Sequence, residues 1–598
     1  MTRFAALIMS IIMSLSGFFS AARVNIKDAV LSFFTGIPFA ETSVSDSFID
    51  SLDRDDIILN RFGSGIYKKL LFVFFDGDTG VADKYRVLKN YNLELLGWAC
   101  PCNLFAVSAP ASGADALFAL SEKIENECEA VLMATPMVFT PSSPDTTPDD
   151  PFDGGAEWDE SAPSGAEWHL EAIDAREAWN YGEYFGDITV GLVDAGFNLE
   201  HEDLGGKISF PSDRLKKRNV PDSHGTYVAG TVCAEAGNGK GISGVNPRAK
   251  LKCVDWQADE GQDWNQTLAI FFGITKLIKS GAKVVNLSLG TSGNIEGDDD
   301  SVTFEMDLYA KIYSAMMSIM LARGYDFVCV QSAGNGDGDS NPVDAFRNGH
   351  FSTMTKKNSI SLVPWIKVDD ILGRVIVAAA SRYRASDDTY ALTSFSNYGE
   401  TVDIAAPGSR IYGLDVESDG YCYKSGTSVS APIVTAVASL VWGINPSLKG
   451  TDVKKIIMDT ADKTVAPYVE GTQSYKQINA KLAVEEALRT KYKMFTLTGD
   501  INTGDYDTPD DIAALTINGK SKNITAPGGK INLICENGDG KINILGDYGE
   551  NEFAPVDFSV NNADVSLGEI SFLPVPDEPD ESGEPTPGEP VTGPDNGG

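Results

Sequence analysis

The central part of this sequence predicts an α/β fold: a mostly parallel sheet with helices on both faces. Continuous Val/Ile/Leu-rich runs at 188–193, 251–255, 283–287, 327–330, 375–379 and 402–405 read as strands buried on both sides. Between them, 264–279 and 307–323 carry apolar residues at helical spacing, so strands alternate with helices. Asp194 and Asn335 fall just beyond two of the strands, at the carboxyl ends where such sheets place their sites.

The flanking elements follow in chain order. Residues 1–22 hold one arginine, an apolar run over 4–19 and the small residues Ser20, Ala21 and Ala22. That is the pattern of an export signal, too short for a comfortable membrane span. After an N-terminal extension (23–65), residues 66–140 read as strand, helix, two strands, helix, strand. This β-α-β-β-α-β order is the ferredoxin-like α+β arrangement. Residues 141–165 are rich in Pro, Asp, Ser, Thr and Gly and read as an exposed linker. The α/β part occupies 166–490, a small module 495–572, and an acidic Pro/Gly-rich tail 573–598, which composition predicts to be disordered.

Composition narrows the function. The chain has 598 residues, 42% hydrophobic and 22% charged, so it can bury large cores in several units. A formal net charge of −37 excludes nucleic acid as the expected partner, because phosphate binding needs an excess of Lys and Arg. Eight cysteines in this length are not a disulfide-dense framework, and four histidines make a histidine-based zinc site improbable.

The chemistry-bearing stretches are four. Gly426-Thr427-Ser428 precedes an apolar run containing Pro432, a turn that opens a buried helix and leaves a serine at its N-terminus. Asp194 ends the strand 190–193, His224 opens the small-residue stretch His224-Gly-Thr-Tyr-Val-Ala-Gly, and Asn335 lies in Ser332-Ala-Gly-Asn-Gly336. Serine is a poor nucleophile until a base takes its proton, and His224 is the histidine set in a turn-to-helix motif.

With Val285-Asn-Leu-Ser-Leu-Gly290, these stretches resemble the subtilisin-like serine proteases, in the chain order Asp, His, Ser. The resemblance covers about 165–490 and implies a catalytic triad of Asp194, His224 and Ser428. It also implies an oxyanion hole of Asn335 with the Ser428 N–H, and a substrate-binding edge strand at Ser288, Leu289 and Gly290. It makes 66–140 similar to the family's inhibitory prodomain. Three departures stand out: Ala195 where the family has Ser or Thr, Tyr227 in place of a second histidine, and Val429-Ser430 in place of Met-Ala. The segment 336–374 is also longer than in compact members.

Two metal expectations follow from resemblance. Asp203 matches a calcium ligand of many subtilases, with a partner loop near 235–241. Asp500, Asn502, Thr508 and Asp511 fit positions one, three, nine and twelve of a dockerin-like calcium loop leading into a helix, which would bring a cohesin-type partner; an acidic β-rich module is the alternative. The implied protein is a secreted or cell-surface serine endopeptidase that acts on polypeptides. It would be made as a self-processed precursor with its own prodomain as inhibitor, with no cofactor in the chemistry and calcium in a structural role.

Overall fold

The computed structural model describes residues 44–60, 65–111, 113–139, 142–144, 167–212, 224–256, 266–291, 299–337, 340–415, 420–504, 513–524, 526–545 and 552–573. The expected export signal (1–22), most of the linker (141–165) and nearly all of the acidic tail (573–598) lie outside them. The chain divides into two compact units, residues 1–491 and 492–598.

Among the described residues the first unit holds two large sheets, besides the two-stranded pairs Leu289–Thr291 with Ser142–Pro144 and Ile411–Leu414 with Tyr421–Lys424. In the smaller, six-stranded one, Gly65–Phe75 lies between Leu104–Ser108 and Val131–Phe139, and Glu94–Ala99 pairs with Leu104–Ser108, all antiparallel. The helices Val81–Asn90 and Ala114–Glu127 complete the β-α-β-β-α-β order. Two strands from the N-terminal extension join this sheet: Val44–Ser45 pairs with Glu94–Ala99, and Ile57–Leu59 with Gly65–Phe75. Part of 23–65 therefore belongs to the folded layer.

The larger, 10-stranded sheet runs Ile208–Ser209, Lys250–Asp255, Thr189–Asp194, Val284–Leu287, Val328–Ser332, Val375–Arg384 in parallel, and Ile404–Pro407 also pairs parallel with Val375–Arg384. The second half of Val375–Arg384 continues into an antiparallel pair with Thr389–Leu392. Successive residues of a strand point to opposite faces, and both faces are used. A Cβ on Gly191 would meet Leu277 at 3.1 Å, so this strand packs closely on the helix Gln266–Lys279. Asn286 instead reaches Thr435 of the helix Thr427–Ile444, which lies on the other face. That helix is buried throughout. It is long and apolar enough to cross a membrane, yet it is the core helix of the unit.

The second unit is built of strands. Phe495–Ile501 lies between Lys530–Cys535 and Val565–Ile570, and Ala513–Ile517 lies between Lys520–Ile524 and Gly538–Ile544. The dockerin-like expectation fails here, because the segment after Asp511 is a strand where that motif requires a helix. The reason is legible. Asn518 and Gly519, both at positive φ (50° and 76°), form the two-residue Asn-Gly turn that closes a β-hairpin. Asp500 sits in a strand opposite Lys530, and Asn502 donates to Glu569 Oε1 at 3.0 Å. Thr508 and Asp511 lie outside the described residues.

Candidate active site

Asp194 ends the central strand Thr189–Asp194 and is 1% exposed. Its Oδ1 accepts from the Ala195 N–H at 2.7 Å and contacts His224 Nδ1 at 2.6 Å. A carboxylate can only accept, so the imidazole carries its proton on Nδ1 and leaves Nε2 as the basic nitrogen. His224 is the first residue of the helix His224–Cys233 and is 2% exposed. Gly225 must be glycine, since a Cβ there would lie 2.6 Å from the Gly196 carbonyl.

Ser428 is the second residue of the helix Thr427–Ile444, which packs against the His224 helix. Its backbone N–H is among the leading ones that no helical carbonyl can reach. The helix starts at Thr427, so Pro432 lies in its second turn and not in its first. Lacking an N–H, Pro432 leaves the carbonyl of Ser428, four residues earlier, without its helical donor. Ser288 Oγ supplies the missing bond at 2.7 Å. Behind it, Asn286 Nδ2 donates to Ser288 Oγ at 2.9 Å, and Thr435 Oγ1 donates to Asn286 Oδ1 at 2.9 Å. All three side chains are fully buried. The Ser288 side chain thus supports the turn that carries Ser428, while Leu289 and Gly290 belong to the edge strand.

Asn335 follows the strand Val328–Ser332 and is flanked by Gly334 and Gly336 at φ of 99° and 86°. Its Oδ1 accepts from both the N–H and the Oγ1 of Thr427, each at 2.8 Å. A backbone N–H cannot accept, so this contact fixes the amide orientation, with Nδ2 as its donor end. Asn397 holds the same loop: its Nδ2 donates to Ala333 O at 3.0 Å, and its Oδ1 accepts from Gly336 N at 3.0 Å and Val343 N at 2.9 Å. Sequence reasoning missed Asn397. Its one signal is Ser396-Asn397-Tyr398-Gly399, a turn-type cluster between two strands.

The strand Leu289–Thr291 pairs antiparallel with Ser142–Pro144: Leu289 opposes Pro144, Gly290 opposes Ser143 and Thr291 opposes Ser142. A stretch of the chain that follows the small sheet therefore pairs with the strand that the sequence expects to bind substrate.

The departures find structural roles. The Tyr227 hydroxyl donates to the Ile411 carbonyl and its ring faces Gly413, where a Cβ would clash. Ser430 Oγ donates to Ala406 O at 3.0 Å, tying the helix that carries Ser428 to the sheet. The long segment after Gly336 reaches the site through Asn348, whose Nδ2 donates to Ser332 O at 2.9 Å.

Asp203 does not gather a calcium ligand set. Its carboxylate accepts from Asn238 Nδ2 at 2.7 Å and from Ile242 N at 2.8 Å, so hydrogen-bond donors point where a cation would sit. Beside it, Lys207 Nζ donates to Cys233 O at 2.9 Å and Pro247 O at 2.7 Å, and pairs with Glu235 at 2.7 Å. Among the described residues no group of three or more His, Cys, Asp or Glu could hold a metal ion.

Residues 186–482 match the family model described as the subtilase family. They are a subtilase domain. The chain thus carries a serine endopeptidase domain of this family. Thermitase of Thermoactinomyces vulgaris is 28% identical over 346 residues, 57% of this chain and 99% of thermitase. A thermophilic serine proteinase of Bacillus sp. (strain AK1) is 28% identical over 305 residues, 49% of this chain and 62% of the relative, so the chain spans less than two thirds of that protein. A calcium-dependent protease of Trichormus variabilis is 25% identical over 483 residues, 74% of this chain and 67% of the relative. Among solved structures, fervidolysin from Fervidobacterium pennivorans is 19% identical with a TM-score of 0.48, covering 86% of this chain and 80% of that one.

Proposed function

We propose that this subtilase cleaves peptide bonds with Ser428 as nucleophile, His224 as general base and Asp194 as the group that orients and stabilises the imidazolium. The observation that carries it is the buried 2.6 Å contact of His224 Nδ1 with Asp194 Oδ1, which aims the basic Nε2 away from the carboxylate. His224 takes the Ser428 proton as Oγ attacks the scissile carbonyl, then gives it to the leaving amine. Water repeats the sequence on the acyl-enzyme. The oxyanion that forms is met by the Ser428 N–H and by Asn335 Nδ2, the donor end of the amide whose Oδ1 is anchored on Thr427. No step calls on a metal or other cofactor.

The substrate adds as an antiparallel strand along Ser288, Leu289 and Gly290, so backbone pairing gives affinity and side-chain pockets give preference. The chain's own Ser142–Pro144 on that edge supports a precursor held silent by its prodomain. Moving along that strand toward Pro144 approaches Ser288 and hence Ser428. Self-processing therefore cuts within a few residues after Pro144, inside the linker. The apolar run over 4–19 supports export to the cell surface or beyond. Calcium at Asp203 is not part of this reading, since the residues around it do not fit the ion.

Processing tests the reading. Purified Ser428→Ala precursor should remain one piece where the wild-type chain splits into two. Splitting of the Ser428→Ala chain at the same bond in a protease-free preparation would refute self-processing.

A further inference from the structure

We propose that the small N-terminal sheet stays bound to the subtilase domain after the chain is cut, as a lasting second piece of the working enzyme, and that only the strand Ser142–Pro144 yields to substrate. This rests on the self-processing reading above, in which water adds across one peptide bond and nothing else changes covalently.

The case begins with the helix Gln266–Lys279. A helix covering one face of a sheet needs one apolar side and shows a polar side to water; a helix apolar all round is buried all round. Here Ile270, Phe271, Phe272, Gly273, Ile274 and Thr275 are consecutive and all buried, which no single face can contain. The parallel sheet covers one side. The small sheet covers the other: the Phe72 ring lies 5.3 Å from Phe271 and 5.9 Å from Phe272, and Phe48 lies 5.7 Å from Phe272. Phe118 meets Phe304 of the neighbouring helix Asp299–Ala322 at 5.8 Å. One hydrophobic cluster runs without a break from Phe48 and Phe72 through Phe271 to Val285 in the sheet.

Polar contacts lock this face. Lys276 Nζ pairs with Asp46 at 2.7 Å, their side chains 14% and 6% exposed, and Arg323 Nη1 donates to the Cys100 carbonyl at 2.6 Å. Departure of the small sheet would bare two phenylalanines, and the lysine and aspartate would lose each other. The face left behind would be apolar, centred on Phe271 and Phe272.

The contact at the cleft is of another order. It comprises three residue pairs on an edge strand, and Pro144 has no N–H to give. Held by the large apolar face and cut beyond its end, this short strand becomes a tethered competitor of substrate. It returns often because its local concentration is high, but each visit is weak. The enzyme then works with its N-terminal piece in place, and the strand sets how much substrate is needed.

Two preparations test this. In the first, a recognition site for a sequence-specific protease is inserted between 150 and 160 of the Ser428→Ala chain and cut from outside, so that the result does not depend on self-processing. The two pieces should co-elute on size exclusion at nanomolar concentration and unfold in one transition. Separation into two soluble, monodisperse species would overturn the proposal. In the second, wild-type enzyme is allowed to process, and peptidase activity and N-terminal piece are followed across the same fractions. Activity should travel with the piece; and when active chains with and without 142–144 are both cut from outside at the inserted site, the one lacking 142–144 should show KM for a short peptide lower by about tenfold with kcat unchanged. Activity confined to fractions without the piece would overturn it as well.

Discussion

The hydroxyl of Ser288 donates to the carbonyl of Ser428 at 2.7 Å, a position left open because Pro432 cannot donate there. Proline in the second turn weakens the helix where it carries Ser428, and one serine between two neighbouring strands repairs it. Ser288→Ala should leave that carbonyl and Asn286 Nδ2 each without this partner, costing about 1–3 kcal/mol of stability. Denaturant unfolding measures it, and an unchanged midpoint would show that the hydroxyl supports nothing.

Asn335 and Asn397 divide one task. Asn335→Leu removes the proposed oxyanion donor and should lower kcat by roughly 100- to 1000-fold with little change in KM. A pure KM effect would make Asn335 a substrate-positioning residue. Asn397→Ala frees the loop without touching substrate. It should lower both kcat and stability, and unchanged steady-state kinetics would contradict its role as the brace of that loop.

Lys207 holds the end of the His224 helix by bonding the Cys233 and Pro247 carbonyls. Lys207→Met should therefore destabilise by about 1–3 kcal/mol, since it orphans two carbonyls. Chelator should leave the unfolding temperature of the wild-type chain unchanged. A drop under chelator would show that a cation binds the folded chain despite the donors that Asn238 and Ile242 present to Asp203.

Acid sensitivity follows from two buried histidines. Burial pushes His350 down to about 3, and burial with Arg176 nearby pushes His169 down to about 3. An unfolded histidine titrates near pH 6.5. Below that pH the unfolded chain binds protons that the folded chain refuses, so stability falls as pH drops from about 6.5 toward about 3. It is fully present above about 6.5. Each histidine contributes a slope of about 1.4 kcal/mol per pH unit in that window. His350 Nδ1 shares a 2.9 Å hydrogen bond with the Tyr313 hydroxyl, which glutamine can keep. Stability of His350→Gln measured at pH 7, 6 and 5 should fall less steeply by about that amount. Buried Glu485, pushed upward, acts in the opposite sense but cancels between the two proteins. Identical slopes would count against the histidine account.

Much of the site was legible because its local signals are strong. A strand ending in Asp194, a histidine opening a small-residue helix and a Gly-Thr-Ser turn each constrain the backbone as well as the chemistry. What stayed hidden was mostly tertiary. Nothing near Ser288 in the sequence says that a proline 144 residues later, at 432, will leave it a carbonyl to bind. Nothing near Asn397 says which loop it will brace. The second unit was misread for another reason. Acidic spacing suggested a calcium loop and helix, while the Asn518-Gly519 turn, a stronger short-range signal, already specified a hairpin. The all-round burial of Ile270–Thr275 was visible as an apolar run, but only the packed small sheet explains it.

The central claim is that Ser428 is the nucleophile. A fluorophosphonate probe, applied to the processed enzyme and followed by peptide mapping, tests this most directly. The adduct should sit on Ser428 in the wild-type protein and be missing from Ser428→Ala, whose kcat should be lower by about a million-fold. An unlabelled but folded and processed wild-type enzyme, or near-normal peptide hydrolysis by Ser428→Ala, would contradict the account.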